Sequence, residues 1–159
     1  MMCLKGKTCQ LRSAEREDLP LLLEWRNKEH VIQNMEHQER ISWEEHIQWF
    51  KRIHKQGYHY FIIETIDKIP VGTIYISGRT LDNGAESGLY IGNEQFLGTG
   101  ITIEASKMII QYAFEQENLN YLYAKVKASN ATIIAYNKML GFKTVKDEQK
   151  AFIKMVLSK

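Results

Sequence analysis

Leu89-Tyr90-Ile91-Gly92-Asn93-Glu94-Gln95-Phe96-Leu97-Gly98-Thr99-Gly100-Ile101 is the stretch on which the reading of this chain turns. Leu89, Tyr90 and Ile91 read as the end of a β-strand. From Ile101 to Glu117 apolar residues recur at helical spacing, at Ile101, Ala105, Met108, Ile109 and Tyr112. Gln95-Phe96-Leu97-Gly98-Thr99-Gly100 therefore joins a strand directly to a long helix. Two glycines there let a ligand come close to the backbone, and the first-turn N–H groups of the helix have no intrahelical partner. Together with the positive end of the helix dipole, this makes a pocket for a phosphate or pyrophosphate. A glycine pair between strand and helix is also an ordinary tight turn, so a second cluster has to decide.

That cluster lies downstream. Tyr121 to Lys127 reads as a strand, Asn130 follows, and a short helix spans Ala131 to Leu140 with Tyr136 inside it and Gly141-Phe142 at its end. Gln95, Gly98 and Gly100, followed by Asn130, Tyr136, Gly141 and Phe142, resemble the GNAT superfamily of acyl-CoA-dependent N-acetyltransferases. The resemblance runs from about Gln10 to the C-terminus.

The resemblance implies an α/β (α+β) fold, one N-acetyltransferase domain over residues 1–159. Its central mixed, mostly antiparallel sheet has about six to seven strands flanked by about four helices, and two central parallel strands splay apart to hold acetyl-CoA. Residues 10–80 then form the acceptor-binding part and residues 85–145 the acetyl-CoA-binding core. Acetyl-CoA is expected as co-substrate, on the backbone of Leu89, Tyr90 and Ile91, on the loop of Gln95, Phe96, Leu97, Gly98, Thr99, Gly100 and Ile101, and on Asn130 and Tyr136. The resemblance also makes Tyr136 the general acid that faces the departing thiol. Such a role suits the chemistry, since a phenol of pKa about 10 can hydrogen-bond to or protonate a thiolate whose acid has a pKa of about 8.5. Tyr136 also fits a core aromatic on a short helix, and Asn130 also fits a plain N-cap.

Acyl transfer to an amine needs a neutral amine, donors for the oxyanion and a proton for the thiolate. For the first of these, all five histidines, His30, His37, His46, His54 and His59, fall between Glu29 and Tyr60. Their spacing suits no metal, and no metal is expected. His46 stands out because it flanks an apolar helical face beside Ile47, Trp49 and Phe50.

A finer resemblance is carried by Glu24-Trp25-Arg26-Asn27, Met35, Ser42-Trp43-Glu44-Glu45-His46 and Trp49-Phe50, with Val71-Gly72 and Tyr136. These resemble the PseH-type nucleotide-sugar N-acetyltransferases of pseudaminic acid biosynthesis, which acetylate a UDP-linked 4-amino-4,6-dideoxy sugar. Carried over, Arg26 and Met35 line the nucleotide pocket, Phe50 packs beside it, and His46 accepts the amine proton through water. Thr73 stands where that family has a serine, and Lys125 where it has a carboxylate on the fifth strand. Trp-Arg-Asn also occurs in RimJ/RimL-type acetyltransferases of protein N-termini and in polyamine-acetylating relatives, so these acceptors remain alternatives, as does an acyl-CoA-binding module without turnover. Acids and bases roughly balance from Glu24 to Gln56, which suits a polycation poorly, whereas Arg26, Lys28, Arg40 and Lys55 suit an anionic nucleotide sugar.

Composition agrees with an ordinary globular domain: 159 residues, 44% hydrophobic and 25% charged. A net charge of +2 does not point to nucleic acid. No apolar run approaches the roughly 20 residues of a membrane span, and Met1 to Gln10 has no signal-peptide core. Cys3 and Cys9 read as a reduced pair in a cytoplasmic monomer or homodimer.

The expected elements are a strand over Cys9–Ser13, helices over Glu15–Asn27 and Ser42–Gln56, a hairpin of Tyr58–Thr65 and Pro70–Ser77 turning at Asp67-Lys68, a turn at Asp82-Asn83-Gly84, and strands over Ala85–Gly92 and Phe152–Leu157. Leu19, Leu22, Leu23 and Trp25 form the stripe of the first helix, with acids in its first turn. Trp43, Ile47, Phe50 and Ile53 form that of the second, which opens with the capping box Ser42-x-x-Glu45.

Overall fold

A computed structural model describes residues 2–145 and 151–159 of the chain. Along the chain run β1 (Cys3–Lys5), β2 (Cys9–Ser13), α1 (Leu19–Arg26), α2 (Glu29–Ile32), α3 (Trp43–Lys55), β3 (His59–Thr65), β4 (Pro70–Ile76), β5 (Gly84–Ile91), α4 (Ile101–Gln111), β6 (Tyr121–Lys127), α5 (Ala131–Met139), β7 (Lys143–Val145) and β8 (Phe152–Ser158). The eight strands form one sheet in the order β1-β2-β3-β4-β5-β6-β8-β7. Every neighbouring pair is antiparallel except β5–β6.

The larger core lies on one face of the sheet, where Ala105 and Ile109 of α4, and Tyr112 just beyond it, pack on Leu11, Phe61, Ile63, Ile74, Ala85 and Leu122. Removing that much apolar surface from water, at about 25 cal/mol per Å², is what holds α4 to the strands. On the opposite face Leu22 and Trp25 of α1 close over Ala14 and Ile62, with Trp49 and Phe50 of α3 beside them. Period-2 alternation on the strands and 3.6-residue spacing on the helices produce this two-sided arrangement.

Several expected boundaries move. Helix 15–27 is in fact a 3-10 turn, Arg16–Asp18, followed by α1 from Leu19 to Arg26. Asp18 is held by Arg12 at 2.8 Å, and Pro20, which has no N–H to donate, sits in the first turn of α1. The chain then forms the short α2, which the sequence pattern did not announce. α4 ends at Gln111 and passes into a π-helical turn over Tyr112–Gln116, closed by Glu117 N–H donating to Tyr112 O at 3.1 Å. Trp43, expected on the apolar face of α3, is instead 42% exposed, and the buried residues of that helix are His46 and Ile53. β1 and β7 are additional three-residue strands. No described helix is long and apolar enough to cross a membrane.

Candidate active site

The two parallel strands at the centre of the sheet pair in only three rows, Gly84 with Tyr121, Ala85 with Leu122 and Glu86 with Tyr123. Beyond Glu86 they separate. Glu86 O accepts from Ser77 N–H and Gly92 N–H donates to Val71 O, so the even-numbered residues of β5 address β4. The backbone groups of Ser87, Leu89 and Ile91 therefore face the opening. The side chains of Leu89 and Ile91 belong to the α4 core, while Tyr90 points to the other face, opposite Thr73.

Each strand of this wedge runs into a helix whose N-terminus lies at its mouth. After β5, Gly98 and Gly100 adopt φ of +75° and +79°, a left-handed backbone that glycine alone takes without strain. A Cβ added to Gly98 would meet nothing within 4 Å, so there is free space beside the loop. Gln95, Leu97 and Thr99 are exposed around that space, Phe96 is half-buried, and Ile101 opens the helix. After β6, Asn130 caps α5 by accepting the Ile133 N–H at 3.2 Å and reaches Asn34 through Nδ2 at 3.3 Å. Tyr136 is half-buried on α5, its hydroxyl 2.8 Å from that of Ser106 on α4. An unpaired strand edge leading to a glycine cradle at a helix N-terminus fits an extended chain that ends in a pyrophosphate.

Tyr90 faces the side of the sheet covered by α1 and α3. Arg26 ends α1 there, brought in by Trp25, whose ring packs so tightly on Gly92 that a side chain at that position would collide with it. Arg26 Nη2 donates to His37 O at 2.9 Å, while Nη1 is shut from solvent and has no hydrogen-bond partner among the described residues. Burial pulls the guanidinium below its ordinary pKa, and the neighbouring Tyr90 and Tyr60 oppose that. The Tyr60 hydroxyl donates to Thr73 Oγ1 at 3.3 Å, and Thr73 itself has no exposed surface. Tyr60 stacks on Tyr75 with ring centroids 5.5 Å apart, and Tyr75 on Tyr58 at 5.8 Å. Near Tyr75 lies Glu86, whose carboxyl is pushed above the ordinary range by burial, with Glu36 adding to the shift and Lys125 and Tyr75 opposing it.

Of the substrate-side residues singled out from sequence, Arg26 and Thr73 come together around Tyr60 and Tyr90. Met35 lies half-buried in the loop whose His37 carbonyl holds Arg26. His46 is only 3% exposed, its Nε2 lies 2.9 Å from Leu19 O, its ring stacks on Trp49, and burial lowers its pKa. Phe50 does not join the group. It lines an outer groove with Leu19, Pro20, Trp43 and Ile47, and Trp49 takes the inward place, 5.1 Å from the Tyr60 ring. Glu86, Tyr75 and Ser106 went unnoticed in the sequence. Glu86 carries no local motif. It does stand at the foot of Leu89-Tyr90-Ile91, and the two-residue period of a strand puts it on the same face as Tyr90.

Comparison with known proteins agrees with this geometry. Residues 9–143 match the family model described as an acetyltransferase (GNAT) domain. The chain is 31% identical over 157 residues to Acetyltransferase PseH of Campylobacter jejuni subsp. jejuni serotype O:23/36 (strain 81-176), covering 99% of this chain and 94% of that protein. Among solved structures it is similar to the spermidine N-acetyltransferase of Vibrio cholerae in complex with CoA and spermine, with a TM-score of 0.84, 20% identity, and 94% and 95% of the two chains covered. It is likewise similar to apo FdhC, a nucleotide-linked sugar GNAT, with a TM-score of 0.83, 18% identity, and 99% and 90% covered. The chain belongs to the GNAT family: it is an N-acetyltransferase whose acetyl donor is acetyl-CoA.

Proposed function

We propose that the acceptor is an anionic nucleotide sugar, the primary amine of a UDP-linked 4-amino-4,6-dideoxy sugar, as the PseH-type resemblance implies. The supporting observation is Arg26 Nη1, a buried cationic nitrogen without a hydrogen-bond partner among the described residues. Such a group is costly to keep in the free protein, and a phosphate oxygen supplies what it lacks. A polycation or an ammonium terminus would aggravate the cost. The identity to the Campylobacter protein points the same way, whereas likeness to the spermidine enzyme at 20% identity speaks for the fold alone.

In this reading residues 10–80 carry the acceptor and residues 85–145 the coenzyme. Arg26 holds phosphate, while Met35 and Trp49 flank the nucleotide. The loop from Gln95 to Ile101 holds the pyrophosphate. Tyr136 gives its proton to the departing thiolate. Glu86 is better placed than His46 to take the amine proton, since Nε2 of His46 is engaged by Leu19 and its ring by Trp49. A carboxylate whose burial raises its pKa is a stronger base than an ordinary one.

UDP tests the assignment. It should raise the melting temperature and inhibit competitively with the amino sugar. Arg26→Ala should raise the acceptor KM by about tenfold to a hundredfold, the cost of a lost hydrogen bond to a charged group. A protein that ignores millimolar UDP, and acetylates spermidine or a peptide N-terminus equally well with and without Arg26, would overturn the nucleotide sugar and leave the acetyltransferase.

A further inference from the structure

Ser106 and Tyr136 are each the sixth residue of a helix that starts at the mouth of the wedge. Their hydroxyls meet at 2.8 Å across the contact between α4 and α5. We propose that Ser106 is the positioning residue of Tyr136, donating its hydroxyl proton to the phenolic oxygen so that the Tyr136 proton stays free for the coenzyme sulfur. This inference rests on Tyr136 being the acid of the proposed function.

The direction of the bond follows from accessibility. A serine hydroxyl and a phenol each have one proton and can also accept. Ser106 is 3% exposed, so its proton must be satisfied within the protein, and within a helix the usual outlet is a carbonyl one turn back. Here the hydroxyl reaches across to another helix instead. Tyr136 is only half-buried and can direct its own proton outward. One turn away on the two helices, Ile109 and Ile133 belong to the apolar core, a setting in which a hydrogen bond counts for more than in water.

In the transfer the amine nitrogen forms the C–N bond as the C–S bond breaks and its electron pair passes to sulfur. Tyr136 delivers its proton to that sulfur, and the resulting phenolate oxygen is held by the Ser106 hydroxyl. The amine proton passes to Glu86, and water carries a proton from there to restore the phenol. Ser106 exchanges no atom with the substrates.

The test is a double-mutant cycle on CoA release from acetyl-CoA, run with the UDP-linked amino sugar as acceptor and separately with water, so that an error in the acceptor does not silence it. Ser106→Ala should lower kcat about fivefold to thirtyfold, leave KM for acetyl-CoA within about twofold, and leave the melting temperature near that of the parent. Ser106→Thr and Ser106→Cys should recover activity in the order of their donor strength. In a Tyr136→Phe background, Ser106→Ala should cost less than about twofold, because the oxygen it serves is gone. If Ser106→Ala turns over normally while Tyr136→Phe is slow, or if its cost is the same in both backgrounds, Ser106 only fills space and the proposal fails. If Tyr136→Phe keeps full turnover, Tyr136 is not the acid and the underlying reading fails with it.

Discussion

Glu104 Oε1 accepts the Thr8 N–H at 2.8 Å, tying the first turn of α4 to the connection between β1 and β2. The same carboxylate takes the Cys9 N–H at 2.9 Å and the Lys7 N–H at 3.1 Å. One side chain thus satisfies three backbone donors that would otherwise have only water.

Burial works against the charged form of Glu104, but these bonds together outweigh it and bring the pKa from 4.5 down to about 2. A carboxyl with a folded pKa below its unfolded one stabilises the protein fully above the unfolded value and loses that contribution as pH falls through the folded one. Glu104→Gln should therefore be less stable than the parent at pH 7, and the gap should close between about pH 4.5 and pH 2. Urea unfolding across that range is the measurement, and a gap independent of pH would count against it.

Gly100→Val should weaken acetyl-CoA binding by at least tenfold, roughly 1.4 kcal/mol. At φ +79° a β-branched residue is strained, and relaxing the turn moves the N–H groups that open α4. Calorimetry on the folded variant decides, with unchanged affinity as the adverse result.

Tyr136→Phe should reduce kcat by about a hundredfold to ten-thousandfold, the usual range for a lost proton donor. Acetyl-CoA affinity should barely move. A loss smaller than about threefold would assign Tyr136 to packing.

Glu86→Gln should separate stability from activity. Because burial raises the folded pKa of Glu86, the folded state binds its proton more tightly than the unfolded state, and stability declines as pH rises past the carboxylate range. Glutamine keeps the shape of the protonated form, so the variant should melt higher at pH 7 while kcat falls. The acidic limb of the kcat/KM profile, placed above the ordinary carboxylate range in the parent, should disappear. If His46→Ala removes that limb and Glu86→Gln does not, the base is His46.

What could be read in the sequence is what local chemistry dictates. Gly98 and Gly100 announce a turn because of their backbone freedom, Ser42 and Glu45 announce a helix start because their capping bonds span three residues, and Asn130 does the same for α5. The eight-strand count was not legible, since three residues at Cys3–Lys5 and Lys143–Val145 are too few to show an alternation. Nor was the start of α1, which depends on Asp18 being taken by Arg12 from another element. The site followed the same division. Arg26 and Tyr136 lie in recognisable strings, but the importance of Glu86 arises from its cross-strand register with Tyr123 and from its burial. The orphaned nitrogen of Arg26 likewise depends on a contact distant in sequence, the bond of the same guanidinium to His37 O.

The three-row pairing of β5 with β6 has one more consequence. A sheet interrupted at its middle carries an internal edge, and unpaired edges ordinarily recruit strands from other molecules and drive aggregation. This edge lies inside the sheet, between strands that lead into α4 and α5, and His30 Nε2 stands 2.8 Å from Ile91 O at its far end. With the Ile91 carbonyl taken by His30, the edge offers only the short run of backbone at Ser87 and Leu89, too short for a second sheet but enough for a single chain bearing its own amides. The shortness that protects the protein from its neighbours is thus also a filter on what it can bind.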